Sequence, residues 1–460
     1  MSLFPLFLLC ILAVTLLALR DNFLSNRCLE QLKSVPPLAS GSPALPRVSV
    51  IIPACNEEQG IEQALSSVLS LDYPNLEIIV LDDRSTDTTP QILDRMAEQH
   101  SRLRIIHISE LPTGWLGKNH ALHLGAAQAK GEFLLFTDAD VHFAPDTLCR
   151  AVAKMMNNTL DHLCLIFRMN PTGRLLSMLI ADSLSGGFTL LKPWLVSKPG
   201  SRYFIGAGGF NMIRRSLYHS FGGHRPIRLC PVDDILLGRM AKENGGRCDC
   251  LLGGHCVGVE WYQSVSQMMR GLRKNTFALL DYRFSLLLAA TVALIACHIL
   301  PLWGIVLADG LSRLLCAMIM GVNFLAMTLA LRTFQMDFRC LCWFPITPYI
   351  KLYTIWQAVL FTLMQGGIDW RGTLYSLDEL RAHKVSVLPW IKMKKRVDQD
   401  IKECGKQPNF KTTGYYEYLS SSANHPLHLP CHSLCSGSTC SGTGICGQQK
   451  MPNWNIQRNS

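Results

Sequence analysis

The chain has 460 residues, enough for two or three structural units, and a formal net charge of +10 at pH 7. Charged residues make up 17% of the sequence and hydrophobic residues 48%, which excludes an ordinary soluble enzyme and indicates membrane segments. The positive charge is dispersed and lacks an arginine-aromatic pattern, so it indicates an anionic bilayer surface as a partner and argues against nucleic acid.

The N-terminus begins with an apolar run. Leu3 to Leu19 ends at Arg20 and is close to the shortest length that crosses a bilayer of about 30 Å. A cleaved signal peptide is the alternative, but no basic residue precedes the run and no small-x-small cleavage site follows it. We therefore predict an uncleaved anchor over residues 1–20 and a linker over residues 21–46. The basic residues after the anchor place the next segment in the cytoplasm.

Short apolar runs then alternate with helical patterns. Strands are expected at Val48–Ile52, Leu76–Leu81, Leu103–Ile108, Phe133–Phe136 and His162–Phe167. Helices are expected at Gly60–Leu69, Thr88–His100 and Asn119–Ala129, with another after Pro145. Strands that alternate with helices are joined by right-handed crossovers and form a mostly parallel sheet. The sequence thus predicts an α/β domain over residues 47–283.

The composition becomes apolar again in the second half of the chain. Ser285–Ala308 and Leu311–Leu331 are each long enough to span a bilayer, and the short turn between them predicts a helical hairpin. A third run, Leu341–Met364, contains Lys351, and a lysine in mid-membrane costs about 3 kcal/mol, so an interfacial segment competes with a further span. Arg174–Val196 carries polar residues and is expected to lie in the interface or to cover the acceptor cleft.

Two segments follow the membrane region 285–364. Residues 365–405 are basic, so the positive-inside rule places them in the cytoplasm and favours three membrane crossings. Within them, Trp370 and Arg371 can anchor at the level of the lipid headgroups or close the active site. Residues 406–460 are rich in Ser, Gly, Asn and His, and we predict a disordered tail.

The strand Phe133–Phe136 is followed by two carboxylates, Asp138 and Asp140. In open α/β sheets, ligands bind at the carboxyl ends of the strands. Two close anionic groups repel each other unless a cation lies between them, and Mg²⁺ or Mn²⁺ carrying a substrate diphosphate is the usual occupant. The alternative is a loop with two solvated aspartates, so the neighbouring loops decide between the two interpretations.

The loops after the first two strands supply this context. The first strand leads into P-A-C-N-E-E at Pro53–Glu58, and the second into D-D-R-S-T-D at Asp82–Asp87. In a parallel sheet these loops and the Asp138 loop meet at one edge. The ordered motifs resemble those of the family 2 glycosyltransferases, in which strands end in P-x-x-N-E, D-D-x-S-x-D and D-x-D. The resemblance covers about Arg47 to Arg283.

The resemblance implies a GT-A fold, the Rossmann-like fold of nucleotide-diphospho-sugar transferases, with Mg or Mn as the cofactor. It assigns donor binding to Pro53, Ala54, Glu57, Asp83 and Asp138, and the metal to Asp140. Asp83 would accept a hydrogen bond from the base or its ribose, and Asp138 would lie near the ribose. The metal and nearby cations would neutralise the charge that builds up on the leaving nucleoside diphosphate.

The sequence G-W-L-G-K at Gly114–Lys118 is similar to a feature of the lipid-modifying branch of the family, the hopanoid-associated, carotenoid and ceramide glycosyltransferases. Lys118, at a predicted helix start, can reach a phosphate, and Trp115 can stack on a ligand. The alternative is a surface loop whose Trp115 fills the core. We expect Lys118 to bind the nucleotide sugar.

An acidic pair, Asp233 and Asp234, opens a predicted helix. Acids are favoured at a helix N-terminus for electrostatic reasons alone. The family places an acidic pair at this point and uses its second member as the general base, so the resemblance implies that Asp234 takes the proton of the acceptor hydroxyl. A single displacement would invert the anomeric carbon. The preceding glycines of Gly206–Asn211 permit a tight turn or serve the acceptor side.

The later Q-x-x-R-W motif of the family is present only in part. Gln267 and Arg270 match it, and Arg270 would contact the diphosphate or the acceptor. Gly271 stands where tryptophan is expected, so the stacking role is unfilled or passes to Trp261 or Tyr262. This departure argues against a processive polysaccharide synthase and matches a branch that adds one sugar to a lipid.

The sequence therefore predicts an integral membrane glycosyltransferase with its catalytic domain in the cytoplasm. It would transfer a sugar from a nucleotide-diphospho-sugar to a hydroxyl of a lipid, with inversion. Carotenoid or hopanoid-like acceptors are expected first, and ceramide, sterol or diacylglycerol second. A polyprenyl-phosphate sugar transferase and a non-catalytic membrane scaffold or transporter are the alternatives.

Overall fold

The computed structural model describes residues 3–38 and 45–391, so the predicted disordered tail and part of the predicted linker lie outside the described residues. The strands, in chain order, are β1 Val48–Ala54, β2 Leu76–Asp83, β3 Leu103–Ile108, β4 Phe133–Phe136, β5 Val141–Phe143, β6 His162–Ile166, β7 Arg168–Met169, β8 Asn211–Arg214, β9 Cys248–Leu252, β10 Val257–Val259, β11 Gly367–Trp370 and β12 Thr373–Ser376.

The α-helices connect these strands and dominate both ends of the described chain. They are α1 Leu3–Cys28, α2 Ile61–Leu69, α3 Thr89–Gln99, α4 Gly117–Gln128, α5 Thr147–Asn157, α6 Arg174–Leu191, α7 Arg215–Ser220, α8 Asp233–Glu243, α9 Val265–Leu279, α10 Phe284–Leu294, α11 Leu300–Leu307, α12 Gly310–Thr333, α13 Thr347–Met364 and α14 Leu377–Ala382. The π-helical segment Ile295–Ile299 joins α10 to α11.

The central sheet has seven strands in the order β3-β2-β1-β4-β8-β6-β9. The strands β1, β2, β3 and β4 are mutually parallel, with Val50 opposite Ile78 on one side and Leu135 on the other. Every residue of β2 and β4 is buried, because the connecting helices cover both faces of the sheet. The predicted α/β class and mostly parallel sheet are confirmed.

Two strands of the central sheet, β8 and β9, were not predicted. β8 lies between β4 and β6 and runs antiparallel to both, with Asn211 opposite Phe136 and Cys164. Its four residues, Asn211–Arg214, begin with a polar residue and end with a basic one, so no apolar run marks them as a buried strand. Because β8 is antiparallel, it begins at the edge where β4 ends. The glycine-rich segment before Asn211 therefore lies beside the Asp138 loop.

Among the described residues, four helices are long and apolar enough to cross a membrane: Leu3–Cys28, Arg174–Leu195, Phe284–Leu307 and Gly310–Thr333. The first continues beyond its predicted end at Arg20 into the predicted linker, because its polar end packs against α6, where Lys192 pairs with Asp21 at 3.0 Å. The second was expected to lie in the interface or to cover the acceptor cleft. Its length and composition also suffice for a span, and half of it is buried within the protein.

The third apolar run of the C-terminal half folds as α13, which begins at Thr347 and is not one of these four helices. Its Lys351 forms an ion pair with Asp182 of α6 at 2.8 Å. A buried charge is tolerated when an opposite charge compensates for it, so this pair accounts for a lysine within an apolar run. The pair also ties α13 to the domain that contains the central sheet.

A buried arginine fixes the last described residues to the sheet domain. Arg239 of α8 has 1% of its surface exposed, pairs with Glu243 at 2.8 Å, and donates to the backbone carbonyls of Ser386 and Ile391. Its guanidinium also lies over the ring of Phe204. The planar fork of arginine suits two separate carbonyl acceptors, which a lysine could not satisfy together.

We expect Arg239→Met to destabilise the protein by about 1–3 kcal/mol, because two buried carbonyls lose their donor. Thermal unfolding of the detergent-solubilised protein measures the loss, and limited proteolysis should cut the released segment after Lys384 first. Arg102→Met, exposed on the surface of the same domain, serves as the control for the loss of a positive charge. Unchanged unfolding and proteolysis of Arg239→Met would contradict this role.

Candidate functional site

The predicted donor-binding residues lie at one edge of the sheet, at the ends of the parallel strands β1, β2 and β4. Pro53 and Ala54 are the last residues of β1, Asp83 is the last of β2, and Asp138 follows β4 after Thr137. Glu57 follows β1 in the next loop. The parallel register places these strand ends side by side, as the motifs predict. Their roles toward a donor remain our proposal below.

The loops after β1 and β2 are fastened to each other. The Asn56 Oδ1 accepts from the backbone N–H of Thr86 at 2.7 Å, and the backbone N–H of Asn56 donates to Ser85 Oγ at 3.0 Å. The backbone N–H of Glu57 donates to Thr89 Oγ1 at 2.8 Å. Asn56 has a positive φ of 54°, a conformation that asparagine adopts more easily than most residues. The two motifs thus stabilise each other's loop.

Lys118 is the cation at the centre of the site. Its Nζ lies 2.8 Å from Asp138 Oδ1 and 3.5 Å from Asp233 Oδ2. Burial opposes protonation of Lys118, but Asp138, Asp233 and Asp234 outweigh it and raise the pKa of Lys118. Burial likewise opposes ionisation of Asp138, but Lys118 outweighs it and lowers the pKa of Asp138. This pair therefore stays charged at neutral pH.

A buried asparagine brings the two halves of the site together. Asn119, next to Lys118 at the start of α4, is fully buried, and its Nδ2 donates to the carbonyls of Ile227 at 2.9 Å and Cys230 at 3.0 Å. These carbonyls belong to the loop that leads into α8. The bonds hold the start of α8, with Asp233, against the start of α4. No motif in the sequence indicates this role of Asn119.

The two aspartates at the start of α8 differ in their contacts. Asp233 faces Lys118, and burial is the main reason that its pKa is raised to about 7. Asp234 accepts from two backbone N–H groups, from Gly208 at Oδ2 (3.0 Å) and from its neighbour Ile235 at Oδ1 (2.8 Å). Burial also raises the pKa of Asp234. Neither acid is merely a solvated helix cap.

The glycine-rich segment before β8 packs against both acidic loops. The Gly208 carbonyl accepts from the backbone N–H of Asp138 at 3.0 Å, and a Cβ at Gly208 would overlap the Asp138 carboxylate. A Cβ at Gly206 would overlap the backbone carbonyl of Asp234. Asn211 Nδ2 donates to that same carbonyl at 3.0 Å. Glycine is therefore required here by close approach, and the segment sets the distance between Asp138 and Asp234.

The Asp-x-Asp carboxylates suit a divalent cation. Burial, together with the charges of Asp138 and Glu57, raises the pKa of Asp140 to about 7. A cation at Asp140 would therefore stabilise its charged form. Within residues 3–38 and 45–391, no group of three or more His, Cys, Asp or Glu side chains is arranged to hold a metal ion. An ion at Asp140 would take its other ligands from water or a bound diphosphate, the usual coordination of Mg²⁺.

Two predicted site residues make contacts of a different kind. Trp115 is half-buried, stacks on His123 with ring centroids 5.0 Å apart and meets His120 edge-on at 5.7 Å, so it packs on α4. Asp83 pairs with Arg84, whose Nε lies 2.8 Å from Asp83 Oδ1. Arg84 was not singled out, although it stands inside the D-D-x-S-x-D motif.

The partial Q-x-x-R motif lies on α9. Ser264 caps this helix, because its Oγ accepts from the backbone N–H of Gln267 at 3.2 Å, and the Gln267 Oε1 in turn accepts from the backbone N–H of Gln263 at 2.7 Å. Arg270 is exposed. A Cβ at Gly271 would overlap the ring of Tyr262, so Tyr262 packs directly against the backbone of Gly271.

Tyr262 also faces the metal-side acid of the site. Its ring centroid lies 4.7 Å from that of Trp261. Burial and the nearby Asp140 raise the pKa of Tyr262 to about 12. Of the two aromatic residues, Tyr262 is thus the one that contacts Gly271 and lies near Asp140.

A β-hairpin after the last long helix covers the β1 loop. β11 and β12 are joined by the two-residue turn Arg371–Gly372, in which both φ angles are positive, 54° and 77°. The Arg371 guanidinium pairs with Glu57 and donates to the carbonyl of Cys55. Beside it, Lys274 of α9 lies over the Trp370 ring, with Nζ 4.2 Å from the centroid. The sequence allowed Trp370 and Arg371 either to anchor at the lipid headgroups or to close the active site. These contacts agree with closure over the site.

The order of the strands and the acidic edge at their carboxyl ends agree with a GT-A type of fold. Residues 49–221 match the family model described as "Glycosyl transferase family 2". Residues 49–221 are therefore a glycosyltransferase domain of family 2, as the resemblance implied.

Individual relatives agree with the family. The chain is 37% identical over 110 residues to the probable glycosyltransferase YdaM of Bacillus subtilis (strain 168), covering 24% of this chain and 26% of that protein. It is 37% identical over 111 residues to the beta-monoglucosyldiacylglycerol synthase of Nostoc sp. (strain PCC 7120 / SAG 25.82 / UTEX 2576), covering 24% of this chain and 23% of that protein. The chain thus spans about a quarter of the length of these relatives.

A solved structure shares the fold. The mannosyltransferase PcManGT from Pyrobaculum calidifontis, in complex with GDP-Man and Mn²⁺, has a TM-score of 0.50 and 20% sequence identity. The match covers 78% of this chain and 99% of that chain. It extends beyond residues 49–221 and agrees with the predicted GT-A fold.

We expect Asp233→Asn to stabilise the protein at neutral pH and to remove no stability in acid. The pKa of Asp233 in the folded state, about 7, lies above its ordinary value of 3.8. Ionisation of Asp233 therefore lowers the free energy of unfolding of the wild type progressively as pH rises from about 4 to about 7. Asparagine mimics the protonated acid, so the gain in unfolding temperature should grow over this window and then stay constant. A gain that is independent of pH, or a loss at pH 8, would contradict this assignment.

Proposed function

We propose that the protein is a membrane-bound, inverting glycosyltransferase that moves a sugar from a nucleotide-diphospho-sugar to a hydroxyl of a lipid. The observation that carries the proposal is the placement of Asp234 beside the Lys118–Asp138 pair at the carboxyl edge of the sheet. A proton acceptor and a charged donor-binding edge are thus parts of one site. Four helices long enough to cross a membrane put this site in a chain suited to a lipid substrate.

The donor side of the proposal rests on the strand ends. Glu57, Asp83 and Asp138 would bind the nucleotide sugar, with Pro53 and Ala54 lining the pocket. The fold neighbour that was solved with GDP-Man and Mn²⁺ supports a nucleotide-sugar donor and a divalent metal. Asp140 would hold Mg or Mn, which would supply positive charge to the diphosphate when bound.

Asp234 would act as the general base. Two backbone N–H groups orient its carboxylate, and burial raises its pKa toward the range in which a base works well at neutral pH. The acceptor oxygen would attack the anomeric carbon as its proton passes to Asp234. The bond from that carbon to the diphosphate breaks, and its electron pair leaves with the nucleoside diphosphate. Lys118 would hold Asp138 and Asp233 in place during this step.

The acceptor would be a lipid that enters from the bilayer. The relatives named beta-monoglucosyldiacylglycerol synthase support a diacylglycerol-like hydroxyl. Carotenoid or hopanoid-like lipids, expected from the resemblance of the G-W-L-G-K sequence, and ceramide or sterol are the other acceptors to test. A cytoplasmic site would give access to nucleotide sugars, in agreement with the basic residues that follow the predicted anchor and the last apolar run.

The proposal is tested by mass spectrometry of total lipids from cells with and without the protein. We expect a lipid species heavier by one hexose-sized unit, and its loss with Asp140→Asn or Asp234→Asn, because the first removes a metal ligand and the second the base. Asp309→Asn is the matched control, since that side chain is 95% exposed in the turn before α12. All variants should reach the membrane fraction in equal amounts.

Two outcomes would contradict the proposal. Full activity of Asp234→Asn would remove the assignment of the base. A product that mild acid hydrolyses would indicate a polyprenyl-phosphate sugar transferase instead, because such an acceptor is already anionic and needs no base. Absence of any lipid product, with no hydrolysis of nucleotide sugars by the purified protein, would favour the non-catalytic alternatives.

A further inference from the structure

Three cations from separate parts of the chain surround the acidic site. Lys118 comes from α4, Lys274 from α9, and Arg371 from the turn between β11 and β12. Lys118 pairs with Asp138, and Arg371 pairs with Glu57. Within the part of the chain that the structure describes, Lys274 has no carboxylate at ion-pair distance. Of the three cations, Lys274 is thus the one whose positive charge is available to a bound anion.

Lys274 is held beside the acids rather than in solvent. Its Nζ lies 4.2 Å from the centre of the Trp370 ring, a cation–π contact. Burial lowers the pKa of Lys274, the neighbouring Lys118 lowers it further, and Asp138 and Asp233 oppose this. The charges of Asp138 and Asp233 therefore act on the ammonium. Its three N–H groups nevertheless donate to neither carboxylate.

The sequence motif on α9 indicates Arg270, and not Lys274, as the residue that contacts a diphosphate. The Q-x-x-R motif directs attention to Arg270, one helical turn earlier on the same side of the helix. Arg270 is exposed, whereas Lys274 is the residue of α9 that reaches Trp370 and faces the acid cluster. The stacking surface here is supplied by Trp370, a residue far along the chain from α9.

We propose that Lys274 binds the diphosphate of the nucleotide-sugar donor and that Trp370 is a positioning residue, whose ring holds the Lys274 ammonium toward the diphosphate. This inference rests on the proposed function. An anion that enters between Lys274 and the edge formed by Asp138 and Asp140 would take up the free N–H donors. As the bond to the anomeric carbon breaks, charge on the leaving diphosphate increases, and a fixed ammonium stabilises that charge without giving up a proton.

The test measures nucleotide binding by the full-length protein in detergent, by calorimetry, with UDP, GDP, CDP and dTDP as probes in the presence of Mg²⁺. For each nucleotide that the wild type binds, Lys274→Met should weaken binding roughly 10- to 100-fold, the value of a charge-assisted hydrogen bond. Lys274→Arg should restore most of it. Lys130→Met, an exposed lysine before β4, removes the same charge far from the site and should bind like the wild type.

The role of Trp370 is tested in the same assay. Trp370→Ala should weaken binding, and Trp370→Phe should retain most of it, because phenylalanine keeps a ring face for the ammonium. In the Lys274→Met background, Trp370→Ala should have little further effect, since both changes remove one interaction. A merely structural role for Trp370 would instead give an additive loss and a lower unfolding temperature.

The possible failures are distinguishable. Unchanged nucleotide binding by Lys274→Met, or an equal loss in Arg270→Met, would overturn the assignment of Lys274 and leave the proposed function intact. Wild-type protein that binds none of the four nucleoside diphosphates would overturn the proposed function itself and this inference with it.

Discussion

The mutual repulsion of carboxylates is the constraint on which the rest of this structure depends. Asp138, Asp140, Asp233 and Asp234 come from two separate parts of the chain and converge at one edge of the sheet, where burial raises the pKa of three of them. Lys118 is the internal counterion that makes this convergence tolerable. The tightly bonded loops, the glycines and Asn119 can be understood as the means of holding these charges at fixed distances. A site of this kind is completed by cations and anions that arrive with the substrate.

The same logic of compensated charge extends to the apolar helices. Lys192 with Asp21 and Lys351 with Asp182 tie α6 to its neighbours α1 and α13. Such pairs are costly to break when they are removed from water, so they favour one arrangement of these helices. The helices and the sheet domain therefore form one packed unit, in which α9 contacts both α13 and the acidic site. A substrate that dissolves in the bilayer and a donor that dissolves in water could meet in such a unit.

Much of the fold could be predicted because buried parallel strands leave a strong local signal. The apolar runs of β1 to β4 and the acids that follow them predicted the sheet edge and the residues that lie along it. β8 was missed because its register depends on neighbours that are distant in sequence, and Trp115 was ambiguous because stacking on a ligand and packing on a helix require the same ring. Lys274 could not be predicted, since its position depends on the tertiary contact with Trp370.

The contact between Arg371 and the loop of Cys55 and Glu57 joins the first strand of the sheet domain to a hairpin that follows the last apolar helix. A nascent chain on the ribosome exposes the first strand long before it contains this hairpin. The covering of the β1 loop is therefore completed only when synthesis has passed all of the apolar helices. The contact of Arg371 with the β1 loop is therefore one of the last contacts of the sheet domain that the direction of synthesis allows.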